Sequence, residues 1–338
     1  MKKNYSRRKF IRQSLSAGVA VAGAQLAFFE ASCSGGKARN PYDPKGLPTT
    51  ILGKTGVVIP RIALGLGSRF LNIKTLDEAI EMCNYALDNG LYYWDTAHTY
   101  VNTASGAVSE ERLGHIIKDR RKEIFLSTKI AARETEAAKA QIELSLKRLQ
   151  TDHLDMMKIH SVASPEDVEN ICKKGGVLDL FSRMKEEGVT RFIGFSGHGN
   201  AQALKMMLDT GRFDSMLFAM NHYEGPSDNR QDLLIPAAKE RGMGVMLMKS
   251  VRPKETIEGI DAAELVRFAL SLEGPDGVAV GMDSKKVVDS NLNILRNFRP
   301  MNADEKKKYA MLLSPYFRHE NLPWMKAGYH DGYWGLMT

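Results

Sequence analysis

Four side chains with complementary acid–base chemistry recur at the ends of successive apolar runs. Asp95 and Tyr100 follow Leu91-Tyr92-Tyr93-Trp94, Lys129 closes Ile124-Phe125-Leu126-Ser127-Thr128, and His160 closes Leu154-Asp155-Met156-Met157-Lys158-Ile159. Short runs of this kind read as buried parallel strands, and groups leaving the C-terminal ends of successive strands converge on one rim. A phenol is a poor acid at neutral pH, but an ammonium beside it stabilises the phenolate and lowers its pKa. Asp95 would hold Lys129 charged and in place, and His160 would bind and orient a carbonyl oxygen. Such a set protonates an oxygen while hydride arrives at carbon from a nicotinamide, which supplies the reducing equivalents that no side chain can. Taken singly, the Asp reads as a helix cap, the Tyr and His as satisfied core groups, and the Lys as solvated. Packing does not explain all four at one end of consecutive strands.

The elements that must position these residues alternate. Strands are expected to begin near 61, 91, 124, 154, 191, 214, 243 and 277. Helices are expected over Leu76–Asn89, Ser109–Asp119, Glu134–Leu149, Leu178–Glu187, Ala201–Asp209, Arg230–Arg241, Ala262–Leu272 and Lys285–Leu295. Eight strand–helix units spaced by about thirty residues favour a closed parallel (β/α)8 TIM barrel over an open doubly wound sheet. The chain, 338 residues with 43% hydrophobic content, is long enough for one such barrel with extensions. Thr49 to Ile59, turning at Gly53-Lys54-Thr55-Gly56, reads as a hairpin.

Asp95-Thr96-Ala97-x-x-Tyr100, Lys129 after Leu-Ser-Thr, and His160 after Lys-Ile resemble the aldo-keto reductase family in order and approximate spacing, over roughly residues 49–297. The resemblance implies an eight-stranded α/β barrel with its hairpin on the floor, and NAD(P)-dependent interconversion of a small carbonyl compound and its alcohol. Tyr100 is then the general acid, with Lys129, Asp95 and His160 in the roles above. It also implies cofactor positions. Gly67 and Ser68 lie in a cofactor-contacting loop that equally reads as a tight turn. Ser196 matches the first residue of a Ser-Asn pair that meets the nicotinamide carboxamide; Gly197 stands where the Asn would be, with His198 as a candidate substitute. Leu217 stands at a position that is often Gln. Met248 would pack against the nicotinamide or serve as plain core, and Lys249 would meet a cofactor phosphate. Gly281, Asp283, Ser284 and Asn291 match the adenosine-phosphate loop and the start of its helix, where Ser284 is also a natural N-cap. Asp283 replaces a usual arginine and would repel the 2′-phosphate of NADP, with Lys285 or Lys286 to compensate, so NAD is the alternative to NADP.

The formal charge of +7 belongs to the N-terminus. Residues 1–40 hold eight Lys or Arg and one acid, which leaves 39 of each sign in 41–338. No concentrated basic stripe suits a nucleic acid. Ser6-Arg7-Arg8-Lys9-Phe10-Ile11-Arg12, followed by an Ala- and Gly-rich apolar stretch to Phe29, matches a twin-arginine export signal over residues 1–34. The expected partner is the twin-arginine export machinery and the expected location the periplasm. Cys33 resembles a lipoprotein cleavage site, with Glu30 a departure; lipidation there would give the only membrane attachment, and simple cleavage is the alternative. Residues 35–48 read as a linker. Cys83 and Cys172 are far apart and no Cys-x-x-Cys occurs, so a zinc or iron–sulfur site of the usual spacing is excluded.

Residues 298–338 form a C-terminal extension expected over the barrel mouth. Its Tyr309, Tyr316, Phe317, Trp324, Tyr329, His330, Tyr333 and Trp334 either pack over the barrel or wall the pocket, with Trp324, His330 and Trp334 meeting a hydroxylated or cyclic substrate. Two rivals to an enzyme follow from the lost Asn and Gln: a cofactor-sensing regulatory protein, and a sugar-binding barrel that kept the site without the chemistry.

Overall fold

The computed structural model describes residues 41–220, 230–251, 261–316, 322, 324, 329, 331 and 332. A hairpin of β1 (Thr49–Ile51) and β2 (Val58–Pro60) precedes the barrel strands. These are β3 (Ile62–Gly65), β4 (Tyr93–Asp95), β7 (Phe125–Ile130), β8 (Leu154–Val162), β9 (Thr190–Gly197), β10 (Ser215–Ala219), β11 (Gly244–Met248) and β12 (Gly277–Gly281). All eight pair in parallel and in sequence order, and β12 pairs with β3 to close the ring. A small hairpin, β5 (Val101–Asn102) with β6 (Ala107–Val108), lies in the loop after β4. The fold is a (β/α)8 TIM barrel.

The helices are α1 (Ser68–Leu71), α2 (Leu76–Asp88), α3 (Ser109–Arg120), α4 (Thr135–Arg148), α5 (Pro165–Cys172), α6 (Val177–Glu186), α7 (Ala201–Asp209), α8 (Arg230–Glu240), α9 (Ala262–Leu270), α10 (Lys285–Arg296) and α11 (Ala303–Leu313). Eight lie within a residue or two of the expected ranges. The additions α1 and α5 are short, and α11 sits in the C-terminal extension. Strands buried on both faces need continuous apolar runs, which the sequence supplies: every residue of β4, β7, β10 and β11 is buried.

Three aspartates tie strand pairs together at the floor. Asp155, Asp214 and Asp276 stand at or just before the start of β8, β10 and β12. Each accepts a backbone N–H from the preceding strand: Leu126 at 2.9 Å, Ile193 at 2.9 Å and Val245 at 2.8 Å. Each carboxylate also meets cations, Arg121 and Arg191 for Asp155, Lys185 for Asp214 and Lys239 for Asp276. The hairpin closes this end, with the Gly53 N–H on Asp276 and the Lys54 N–H on the Gly242 carbonyl. Within 41–48, part of the stretch that reads as a linker, Tyr42 and Leu47 are buried here. Tyr42 stacks on Tyr92 at 5.0 Å and donates to Asp155 at 2.8 Å. Gly90, at φ +93°, leaves room for the Pro44 carbonyl that a Cβ would strike.

At the other end, the loop after β4 is clamped to its neighbours. The N–H groups of Thr96 and His98 continue the pairing to Ser127 and Lys129, and the Ser109 N–H holds the Tyr100 carbonyl at 3.0 Å. Beneath the loop, α3 buries Glu110, which accepts from Thr128 Oγ1 at 2.6 Å. Arg148 and His98 lie 3.8 and 3.9 Å away, outside hydrogen-bond range. Burial pushes the Glu110 carboxyl up to about 7, against the pull of the Thr128 and Ser145 hydroxyls. A raised folded-state pKa means that the folded chain binds more proton than the unfolded chain between the ordinary carboxyl range and pH 7, so stability falls as pH rises through that window. Glu110→Gln removes this loss. Urea titrations should show the variant gaining on the parent by about 2 kcal/mol between pH 5 and pH 8; a gap that does not change with pH would show that Glu110 does not titrate in that window.

Candidate active site

Neighbouring strands bring the acid–base residues together at the C-terminal rim. Asp95 ends β4 opposite Ser127 of β7, and Lys129 of β7 is opposite Lys158 of β8. The fully buried Lys129 Nζ donates to Asp95 Oδ2 at 2.6 Å, to the Thr96 carbonyl at 2.8 Å and to the Tyr100 hydroxyl at 3.2 Å. A second buried cation shares the carboxylate. Lys158 Nζ lies 2.8 Å from Asp95 Oδ1, 2.5 Å from Ser127 Oγ and 3.3 Å from the Tyr93 hydroxyl. Burial works against the Asp95 charge, but Lys129 and Lys158 outweigh it and draw the carboxyl down to about 2. Burial lowers Lys129 in spite of Asp95. Lys158 was legible as a signal: alternation along β8 puts it on the same face as His160.

His160 shares the inward face with Lys158, and β8 becomes irregular around it. The β8–β9 register shifts between Ile159 and Val162, and Ser161 takes φ +51°. The ring of His160 meets that of Tyr100 edge-on, with centroids 5.7 Å apart. Its Nδ1 is 3.2 Å from Thr99 Oγ1, and its carbonyl accepts from Arg133 at 2.8 Å. The Tyr100 hydroxyl and His160 Nε2 meet on one oxygen, Oδ2 of Asp331, at 3.1 and 3.0 Å. Asp331 has no motif to mark it, and the partners Tyr100, His160 and Lys249 lie far from it in sequence. Its presence reverses one expectation. Instead of falling beside Lys129, the Tyr100 pKa rises well above the ordinary phenol value, first because the group is buried and then through the charges of Asp331 and Asp95.

A cavity of about 480 Å³ opens beside this centre. Of the expected cofactor positions, Gly67, Ser68, Met248, Lys249, Gly281 and Asn291 line it, as do Asp95 and Tyr100. Ser196, Gly197, Leu217, Asp283 and Ser284 are not among its lining residues. Ser196 Oγ is taken by the Ser161 N–H at 3.1 Å, Gly197 packs on Leu204, and Leu217 lies buried in the wall of β10. Asp283 pairs with Arg69 at 2.7 Å, and Ser284 caps α10 by accepting from the Val287 N–H. Arg69 and Lys286, neither singled out as a cavity residue by its motif, do line the space. His198 faces Asp331 at 3.7 Å, and burial lowers its imidazole to about 3. Lys249, held at φ +63°, reaches Asp331 at 3.0 Å. Trp324 is buried with its ring 5.9 Å from Lys249 Nζ, while Phe317, His330, Tyr333 and Trp334 lie outside the described residues.

The cavity suits an elongated anionic cofactor. Glycines at its mouth admit close approach of a backbone-hugging ligand, Ser68, Lys249, Lys286 and Asn291 offer donors, and the N-terminus of α10 faces it. Among the described residues no group of His, Cys, Asp and Glu could hold a metal ion.

The chain is 25% identical over 325 residues to L-galactose dehydrogenase of Arabidopsis thaliana, covering 83% of this chain and 97% of that protein. It is 24% identical over 217 residues to the uncharacterized oxidoreductase YrpG of Bacillus subtilis, covering 58% of this chain and 64% of the other, so that match stops short of two thirds of the relative's length. In solved structures, the aldo-keto reductase AKR11C1 from Bacillus halodurans in its holo form superposes with a TM-score of 0.63 at 22% identity, covering 77% of this chain and 94% of that one. An aldo-keto reductase from Klebsiella pneumoniae in complex with NADPH gives 0.62 at 20% identity, covering 80% and 97%. At these identities the two structures speak to the fold. The pattern of the aldo/keto reductase family matches residues 61–252, more than half of the sequence, and the chain therefore belongs to that family.

Proposed function

We propose that this protein is an NAD(P)-dependent oxidoreductase that interconverts an aldehyde or ketone and the corresponding alcohol. The observation that carries the reading is the single oxygen position shared by the Tyr100 hydroxyl and His160 Nε2, with Lys129 Nζ 3.2 Å behind the phenol. A nicotinamide dinucleotide in the adjoining cavity would supply hydride to the carbonyl carbon. Tyr100 gives its proton to the carbonyl oxygen, and His160 orients that oxygen by donating from Nε2. With a neutral carbonyl in place of the Asp331 carboxylate, Lys129 stabilises the phenolate left behind, and Asp95 keeps Lys129 fixed. The complete set of four speaks against a binding protein without turnover. Tyr100→Phe should lower kcat/KM for carbonyl reduction by roughly 10²- to 10⁴-fold while dinucleotide binding, read by fluorescence quenching, is kept; parental turnover in that variant would remove the mechanism.

NADP is the proposed cofactor. Asp283 is engaged with Arg69, and Lys286 lines the cavity on the first turn of α10, so a 2′-phosphate would meet cations there. The NADPH complex of the Klebsiella pneumoniae relative agrees with this choice. Lys286→Met should raise KM for NADPH by about tenfold and leave KM for NADH nearly unchanged; an equal effect on both would favour NAD.

The substrate is proposed to be a small carbonyl compound; a hydroxylated or cyclic one is in keeping with the sugar dehydrogenase among the relatives, and the charge of the site adds a further requirement. Export to the periplasm by the twin-arginine route, with Cys33 as a lipid site, is proposed from the motif at Arg7-Arg8, which lies outside the described residues. Replacing Arg7 and Arg8 by Lys should leave the protein in the cytoplasmic fraction of expressing bacteria; unchanged fractionation would end the export reading.

A further inference from the structure

The oxygen on which Tyr100 and His160 meet belongs to a carboxylate. Asp331 Oδ1, its other oxygen, lies 3.0 Å from Lys249 Nζ and 2.7 Å from the Tyr329 hydroxyl, and the Asp331 side chain is 1% exposed. The backbone is fitted too. Thr99 Oγ1 donates to the Asp331 carbonyl at 3.1 Å, and Gly332, at φ +113°, runs so close that a Cβ would strike the Thr99 carbonyl oxygen. Two carboxylate oxygens held by four polar groups, with a fifth on the backbone carbonyl, describe a built site.

Charge indicates what else would fit. Lys129, Lys158 and Lys249 carry three positive charges against two negative ones on Asp95 and Asp331. Burial depresses both imidazoles, so His160 and His198 add none at neutral pH. Withdrawing Asp331 leaves three against one. A neutral carbonyl compound would leave that excess in a site where Lys129 and Lys158 are fully buried and Lys249 is 21% exposed, whereas a carboxylate would restore the balance. Lys249 holds a left-handed backbone that directs it at this position, strain that needs a reason.

We propose that the oxygen site is a carboxylate-binding site which Asp331 fills from within the chain, and that the substrates displacing it are 2-oxo acids. Their ketone oxygen takes the place between Tyr100 and His160, and their carboxylate takes the place beside Lys249. Lys249 is then the specificity-determining residue. The inference rests on the reductase reading for turnover but not for binding.

The test uses the full-length protein without dinucleotide, titrated by calorimetry with 2-oxobutyrate and with its methyl ester, and then steady-state reduction of the same pair. The acid should bind at least about tenfold more tightly than the ester. Asp331→Ala should tighten the acid about tenfold further by removing the internal competitor, and Lys249→Met, read in the same dinucleotide-free titration, should abolish the preference for acid over ester. Should the alanine variant fail to fold, the Lys249→Met comparison decides alone. Equal affinity for acid and ester overturns the proposal, as does a Lys249→Met variant that keeps its preference for the acid and weakens only the dinucleotide. Tight, charge-selective binding without turnover leaves this inference standing and fells the reductase reading; turnover of ester and acid alike does the reverse.

Discussion

One carboxylate held between two buried ammonium groups is the constraint around which the rim is arranged. Asp95 receives Lys129 on one oxygen and Lys158 on the other, and none of the three has appreciable access to water. A buried charge without a partner costs several kcal/mol, so removing the aspartate would leave two ammoniums to be hydrated or neutralised where neither is easily done. The arrangement fixes position more than it adds stability. Lys129 spends its donors on Asp95, Thr96 and Tyr100, which leaves the ammonium one place to stand, and the phenol is located against it. Lys158 in turn anchors Asp95 through Ser127 and Tyr93, so the carboxylate cannot follow Lys129 outward.

The two ends of the barrel use the same residue type for opposite ends. At the floor, Asp155, Asp214 and Asp276 accept backbone N–H groups and face cations near solvent; they join adjacent strands and leave no group poised to react. At the rim, Asp95 accepts from side chains that also touch Tyr100. The difference lies in what shares the carboxylate. A backbone donor is fixed by the sheet and has no second partner to act upon, while an ammonium passes the influence of the carboxylate to the phenol. Separation of stability at one face from chemistry at the other is the general property of this barrel.

Much of this was legible from residue order. Period and spacing identified the eight strand–helix units, because strands buried on both faces cannot hide their apolar runs, and the polar residues that interrupt those runs at Asp95, Lys129 and His160 stood out against them. Lys158 interrupts a run in the same way, but in sequence it marks the approach to His160 and only the fold shows it as a second cation on Asp95. The cofactor positions were read less well. Ser196 and Gly197 close their strand as expected and Leu217 lies in the middle of β10, yet whether such residues face the cavity depends on packing by Leu204 and on the turn at Ser161, neither of which periodicity encodes. Asp283 reads in sequence as a charge facing the ligand; its partner Arg69 lies more than two hundred residues away, and only the closed ring brings them together. Asp331 belongs to the same class of long-range contact.

That last contact changes how the rim must be thought about. If the tail carboxylate and a substrate oxygen compete for one position, the apparent affinity for substrate is the intrinsic one reduced by the fraction of molecules in which the position is open. A carboxylate fixed by Tyr100, His160, Lys249 and Tyr329 makes that fraction small. The same contact adds to the burial that holds the proton on Tyr100, and its departure removes one of the negative charges that oppose Lys129. Opening the position therefore also eases proton release from the phenol. The phenol becomes a useful proton donor only when the place it donates into is free to receive an oxygen, and a site built this way keeps its acid protonated until a ligand has displaced the tail.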